Sequence, residues 1–167
     1  DRHPLETIRE CFFGAGGALK ITTGITANTN GLRTTLIAVV VTPQTYFWGF
    51  IGDGGFWIYR NDGTVDNILP GHKDPDAPNI LFASLGPVVE GYPETGSTAR
   101  HTGDVVFVGS DGVFDRIPDP VRFSANVVDA ARGDFDGDLQ RTVDEVVHQL
   151  SEANDPDGNP ICDDNMT

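Results

Sequence analysis

The 167 residues make one domain, large enough for a real core and too short for two comfortable ones. Eleven Lys and Arg stand against 25 Asp and Glu, a net charge of −14 that repels nucleic acid and anionic lipid and sets both aside as partners. The two cysteines, Cys11 and Cys162, exclude a structural zinc site by count, and no apolar run nears the ~18 residues of a membrane span or opens the chain as a signal peptide, so the expectation is a reduced, cytoplasmic protein.

From the N-terminus, Pro4 suits a first helical position, and Leu5, Ile8, Phe12, Ala15 and Leu19 form one stripe, predicting a helix over 4–20. Gly14, Gly16 and Gly17 weaken its second half by about 1 kcal/mol each relative to Ala, so fraying or bending is expected there. The same glycines follow no strand and precede no Gly-Lys-Ser/Thr, so they do not read as a phosphate loop. The polar stretch 22–31 reads as a loop. Runs 34–42, 45–51 and 56–60 read as a meander of antiparallel strands, the first two apolar enough for burial on both faces. Asn61-Asp-Gly63 is a turn leading to a short strand at 64–68, residues 70–79 read as a surface loop, and 80–90 are ambiguous.

The densest signal is Thr102-Gly-Asp-Val-Val-Phe-Val-Gly-Ser-Asp111-Gly-Val-Phe-Asp115, read as a buried strand running into a sharp turn bracketed by Gly109 and Gly112. A helix is predicted over 121–131. A stronger one carries Leu139, Val143, Val146, Val147 and Leu150, with Asp136 or Asp138 as its N-cap, and the 154–160 loop ends it.

Asp-Gly occurs at 53, 62, 111, 136 and 157. Most such pairs are turns, because Asp bonds its own backbone and Gly accepts positive φ. Those at 62 and 157 sit in polar loops and read as turns only. Asp53 and Asp111 each end a strongly apolar strand, where rigid backbone can hold a carboxylate for a cation, and Asp163-Asp164 adds a second acidic pair near the C-terminus. Asp134-Phe-Asp136-Gly-Asp138 follows no buried strand, so it fails as a phosphatase nucleophile loop. Neither it nor Asp155-Pro-Asp157-Gly-Asn159 has the Gly and Glu of a calcium loop.

In order and spacing these pieces resemble the metal-dependent protein Ser/Thr phosphatases of the PP2C (PPM) family over most of the chain. The matching segments are Leu32-Arg-Thr-Thr-Leu-Ile-Ala-Val-Val-Val, then Phe47 to Arg60 with Gly52-Asp53, then Asn79-Ile-Leu-Phe-Ala-Ser-Leu-Gly86, then the Thr102 to Asp115 stretch, and finally Asp164-Asn165-Met166-Thr167. The resemblance implies an α+β fold, an αββα sandwich of two antiparallel sheets flanked by helices, of which residues 1–167 supply the C-terminal two-thirds, incomplete at the N-terminus. It implies that Asp111 and Asp164 ligate a catalytic Mn²⁺ or Mg²⁺, that Asp53 joins Asp111 at a further metal site, and that Gly112 and Asn165 support them. The implied reaction is hydrolysis of phosphoserine or phosphothreonine in a phosphoprotein by a metal-activated water, with no protein nucleophile. The segments of the family that carry its bridging Asp, phosphate-binding Arg and catalytic His have no counterpart in the sequence, and the family's Ser-Arg after Asp53 is Gly54-Gly55. The alternative is therefore a pseudophosphatase or adaptor that keeps the fold to bind a partner. Runs 34–42 and 45–51 would also lack neighbours on one side, so other polypeptide is expected to cover that edge.

Overall fold

The computed structural model describes residues 2–25, 32–69, 73–74, 76–81, 83–86, 92–114, 119–155 and 157–160. In chain order the elements are α1 (Pro4–Ile25), β1 (Leu36–Val41), β2 (Thr45–Ile51), β3 (Gly55–Tyr59), β4 (Val65–Asn67), β5 (Lys73–Asp74), β6 (Ala77–Leu81), β7 (Glu94–Ala99), β8 (Val105–Gly109), α2 (Asp111–Phe114), α3 (Pro120–Arg132) and α4 (Leu139–Glu152). The strands pair antiparallel, in two three-stranded sheets and one hairpin, and with the helices they make the expected α+β class. They fall into two compact units, residues 1–53 with 70–102 and residues 54–69 with 103–167. No helix among the described residues is long and apolar enough to cross a membrane.

In the first unit the sheet order is β1-β2-β7. Alternate residues of β2 turn to α1, and Gly49 allows the close approach: a Cβ there would lie 2.6 Å from Ile8 and 3.0 Å from Phe12. Ile8, Phe12, Ile51, Ala83 and Leu85 are the buried centre, with Leu5, Ala15 and Leu19 packed around them, so the predicted helical stripe is the packed face. The helix does not stop near residue 20. It runs to Ile25 because packing of that stripe outweighs the glycine penalty, and the Thr22 hydroxyl donates to the Ala18 carbonyl (3.0 Å) in the last turn. Gly14 and Gly17 have nothing within 4 Å, so they lie on the open side and cost propensity rather than packing.

Two expectations in this unit need correcting, and one strand had no expectation at all. β1 is half-buried along its length rather than covered on both faces, and its last residue, Val41, is 57% exposed. The proline-rich stretch read as a loop forms the β5–β6 hairpin, with Lys73 opposite Leu81. β7, with the sequence Glu-Thr-Gly-Ser-Thr-Ala, was not foreseen as a strand because it has no apolar alternation. What it offers is fit: Gly96 lies opposite Trp48, and a Cβ on it would come within 2.3 Å of the indole.

The second unit holds the sheet β4-β3-β8, with β3 buried at every position. Trp57 and Tyr59 of β3 pack with Val113, Val128 and Leu150, one from each of α2, α3 and α4. The expected continuous meander therefore breaks after β2. The chain leaves one sheet through Gly52-Asp53-Gly54 and enters another, because both glycines are left-handed (φ +98° and +121°) and no two-residue hairpin forms. The turn at Asn61-Asp-Gly63 does close the β3–β4 hairpin. Helices α3 and α4 start where expected: Asp119 accepts from the Arg122 amide (2.9 Å) and Asp138 from the Arg141 amide (3.0 Å), each satisfying an otherwise orphaned donor. Of the α4 stripe, Leu150 is buried and Val146 is packed against the core, whereas Leu139, Val143 and Val147 stay exposed.

Candidate functional site

Asp53 follows β2 after the single residue Gly52 and is buried, 8% exposed. The flanking glycines set its direction. A side chain at Gly52 would strike Thr35, with Cγ2 at 2.3 Å and the Thr35 Cα at 3.0 Å, so the turn is closed against backbone as well as side chain. A carboxylate held in this way reaches its binding geometry without ordering a loop, which is what a cation ligand gains from rigid support.

Asp111 is placed differently. β8 is half-buried rather than covered, with Val108 45% exposed, and Gly109 and Gly112 have no left-handed φ. Instead of a sharp glycine turn, the chain passes through Ser110 into the single helical turn α2, which Asp111 begins. The Asp111 Oδ1 accepts from the Gly112 amide at 2.9 Å, and the Ser110 carbonyl accepts from Val113 N at 3.1 Å. Val113, buried against Trp57 and Tyr59, ties this turn to the core.

Asp164 and Asn165 lie outside the described residues, as do Asp163 and Cys162. Among the described residues no three His, Cys, Asp or Glu side chains come together as a metal-holding group. In kind, the donors fit a hard divalent cation: Asp53 and Asp111 each offer carboxylate oxygens at the end of a strand, the ligand type Mn²⁺ and Mg²⁺ prefer. Cys11 is exposed and free.

The second unit also contains a buried charge cluster that sequence reasoning did not single out. Arg60, at the end of β3, gives Nε to Asp66 Oδ2 (2.9 Å) and Nη1 to Asp104 Oδ2 (2.7 Å). The Asp104 side chain is fully buried and that of Arg60 nearly so. Burial of the guanidinium lowers its pKa, but hydrogen bonds and charge from Asp66 and Asp104 more than offset this, and the net shift is upward. The cluster ties β3, β4 and the residue before β8 together, so it positions the strand that leads to Asp111. An arginine ending an apolar strand was its only sequence signal. The acidic turns behave as expected: Asp62 accepts from the Thr64 amide (2.9 Å) and hydroxyl (2.7 Å), Asp155 from the Asp157 and Asn159 amides (2.9 and 2.8 Å), and Asp136 is left-handed at φ +52°.

The family described as Protein phosphatase 2C matches residues 20–153. No curated protein matches the chain by sequence. Among solved structures, the chain is similar to the serine/threonine phosphatase Stp1 of Staphylococcus aureus (16% identity, TM-score 0.68, 89% of this chain and 62% of that one). It is also similar to the Mycobacterium tuberculosis phosphatase PstP/Ppp (16%, 0.64, 80% and 60%) and to a PstP catalytic domain in complex with two manganese ions (18%, 0.59, 80% and 60%). At these identities the likeness is one of fold, and the chain spans about 60% of the length of the solved chains it matches.

Proposed function

The chain belongs to the Protein phosphatase 2C family, and on that premise we propose that it hydrolyses phosphoserine or phosphothreonine in a phosphoprotein, with Mn²⁺ or Mg²⁺ as cofactor. The observation that carries this reading is that Asp53 and Asp111 fall at strand ends within the matched region, one on a turn closed by Thr35 and the other on a turn pinned by Val113. Asp53, Asp111 and Asp164 are the proposed ligands, with Gly112 and Asn165 beside them as supports. Such a cation, when bound, neutralises phosphoryl charge and makes a neighbouring water more acidic. The protein's own part is to hold the carboxylates in place: the Gly112 amide bonds the Asp111 carboxylate, and Thr35 closes the backbone at Gly52 beside Asp53. Polypeptide beyond residues 1–167 is proposed to complete the domain, a reading supported by the outer position of β1 and by the longer chains of the relatives. Residues 1–167 alone are then expected to be poorly soluble and inactive.

A second reading, an adaptor without activity, draws on Gly54-Gly55 standing where the family has Ser-Arg. One assay separates the two. The natural full-length protein, given a phosphothreonine peptide and Mn²⁺, should release phosphate, stop on chelation, and lose at least ~100-fold in rate as Asp111→Asn, more than the cost of disturbing a ligand's support. Release indifferent to chelator would sink the mechanism, and no release with any divalent cation would favour the adaptor.

A further inference from the structure

The first unit contains a cavity of about 230 Å³ whose lining among the described residues includes neither Asp53 nor Asp111. Its walls are Arg9, Phe12 and Phe13 of α1, Leu85, Tyr92 and Pro93. Phe12 and Leu85 are buried and belong to the core, so the floor is rigid. The rim is open: Phe13 is 80% exposed and Tyr92 88%. Two large aromatic side chains on one cavity are thus left in water, and clustered exposed apolar surface marks binding sites. Tyr, Phe and Arg are also the residue types enriched where proteins bind one another.

The charge of the rim narrows the partner. Arg9 makes no hydrogen bond or ion pair among the described residues, whereas Arg2 is held by Glu10 and Arg60 by two aspartates. Among the described residues no carboxylate lines the cavity. A cavity lined by a guanidinium and aromatic rings favours a planar anion joined to an apolar group, the carboxylate engaging the fork while the ring packs on the aromatic walls. The volume is smaller than the ~300 Å³ at which drug-sized ligand sites begin, so it suits one side chain rather than a nucleotide or a flavin.

We propose that this cavity is a docking site for a partner protein segment in which an aromatic side chain stands next to an aspartate or glutamate. The test is direct binding, read independently of phosphatase activity. The probe is a fluorescein-labelled peptide, Gly-Ser-Asp-Phe-Asp-Ser-Gly, titrated with the full-length protein and followed by anisotropy. Binding is expected to weaken about tenfold for Arg9→Glu, for Phe13→Ala and for a peptide with Asn in place of both Asp, and to weaken with added salt. Both protein changes are at exposed positions, so circular dichroism of each variant should match the parent. No binding at millimolar protein, binding unchanged by Arg9→Glu, or equal binding of the Asn peptide would each overturn the proposal. So would a concentration-dependent dimer in sedimentation that Arg9→Glu abolishes, since the occupant would then be a second copy.

Discussion

The two strands that end in a candidate ligand, β2 and β8, carry nearly the same sequence message and are built in different ways. Each is an apolar run followed by Gly, an intervening residue or none, and Asp-Gly. After β2 the backbone turns left-handed on both sides of Asp53 and is shut by Thr35. After β8 it continues right-handed into α2, and what fixes it is Val113 in the core and, at the far end of the strand, Asp104 on Arg60. The pairing of Asp with Gly therefore does not specify a turn type. Close approach of backbone to a neighbour decides one case, and burial of the following side chain decides the other.

The sharpest way to break this contrast is to remove the lock on β8. Asp104→Ala takes from a nearly buried guanidinium its fully buried aspartate and leaves the half-exposed Asp66 in place. Losing one partner of a buried pair costs about 3–5 kcal/mol, far more than the pair's net worth, because the remaining charge is stranded. Urea unfolding of the full-length protein should register that loss. If Asp104→Ala cost under ~1 kcal/mol, the charge cluster would not be what holds the start of β8.

The β2 turn should fail next most easily, and by another route. Gly52→Ala places a methyl 2.3 Å from Thr35 Cγ2 and 3.0 Å from its Cα, at a φ that L-residues rarely adopt. Strain and overpacking together amount to about 2–4 kcal/mol. Gly112→Ala is the matching change in α2, where φ is not left-handed, and should move stability by less than ~1 kcal/mol. Equal losses at the two sites would erase the distinction between the turns.

How far the sequence told this in advance depends on how local the cause was. The α1 stripe, the Asp138 cap, the bounds of β2 and the β3–β4 turn at Asp62-Gly63 were legible because residues within one turn or strand decide them. β7 was not, since its place depends on Trp48 filling the space over Gly96, a contact between residues 48 positions apart. The sheet change after Asp53 was missed for the same reason: left-handed glycines were foreseeable, but Thr35 closing over them was not. Asp53 and Asp111 were legible as strand-end carboxylates, while Arg60–Asp104 was invisible because its partners are 44 residues apart.

The smallest expected effect sharpens the contrast from the side of ordinary turns. The Asp62 carboxylate titrates below the usual aspartate range because the Thr64 hydroxyl and amide donate to its charged form, a stronger influence than its slight desolvation. Its folded pKa is depressed, so its contribution to stability is present above the unfolded value, near pH ~4, and disappears as pH falls through the lower folded value. Full exposure keeps that contribution small. Thr64→Val removes the hydroxyl donor and keeps the amide, so carboxyl NMR titration should show the Asp62 pKa rising part of the way back to normal, with the β3–β4 register intact. A pKa unchanged by Thr64→Val would mean the backbone alone sets this turn. Asp62 would then resemble Asp111, which accepts from the next backbone amide, more closely than the contrast between locked and unlocked carboxylates allows.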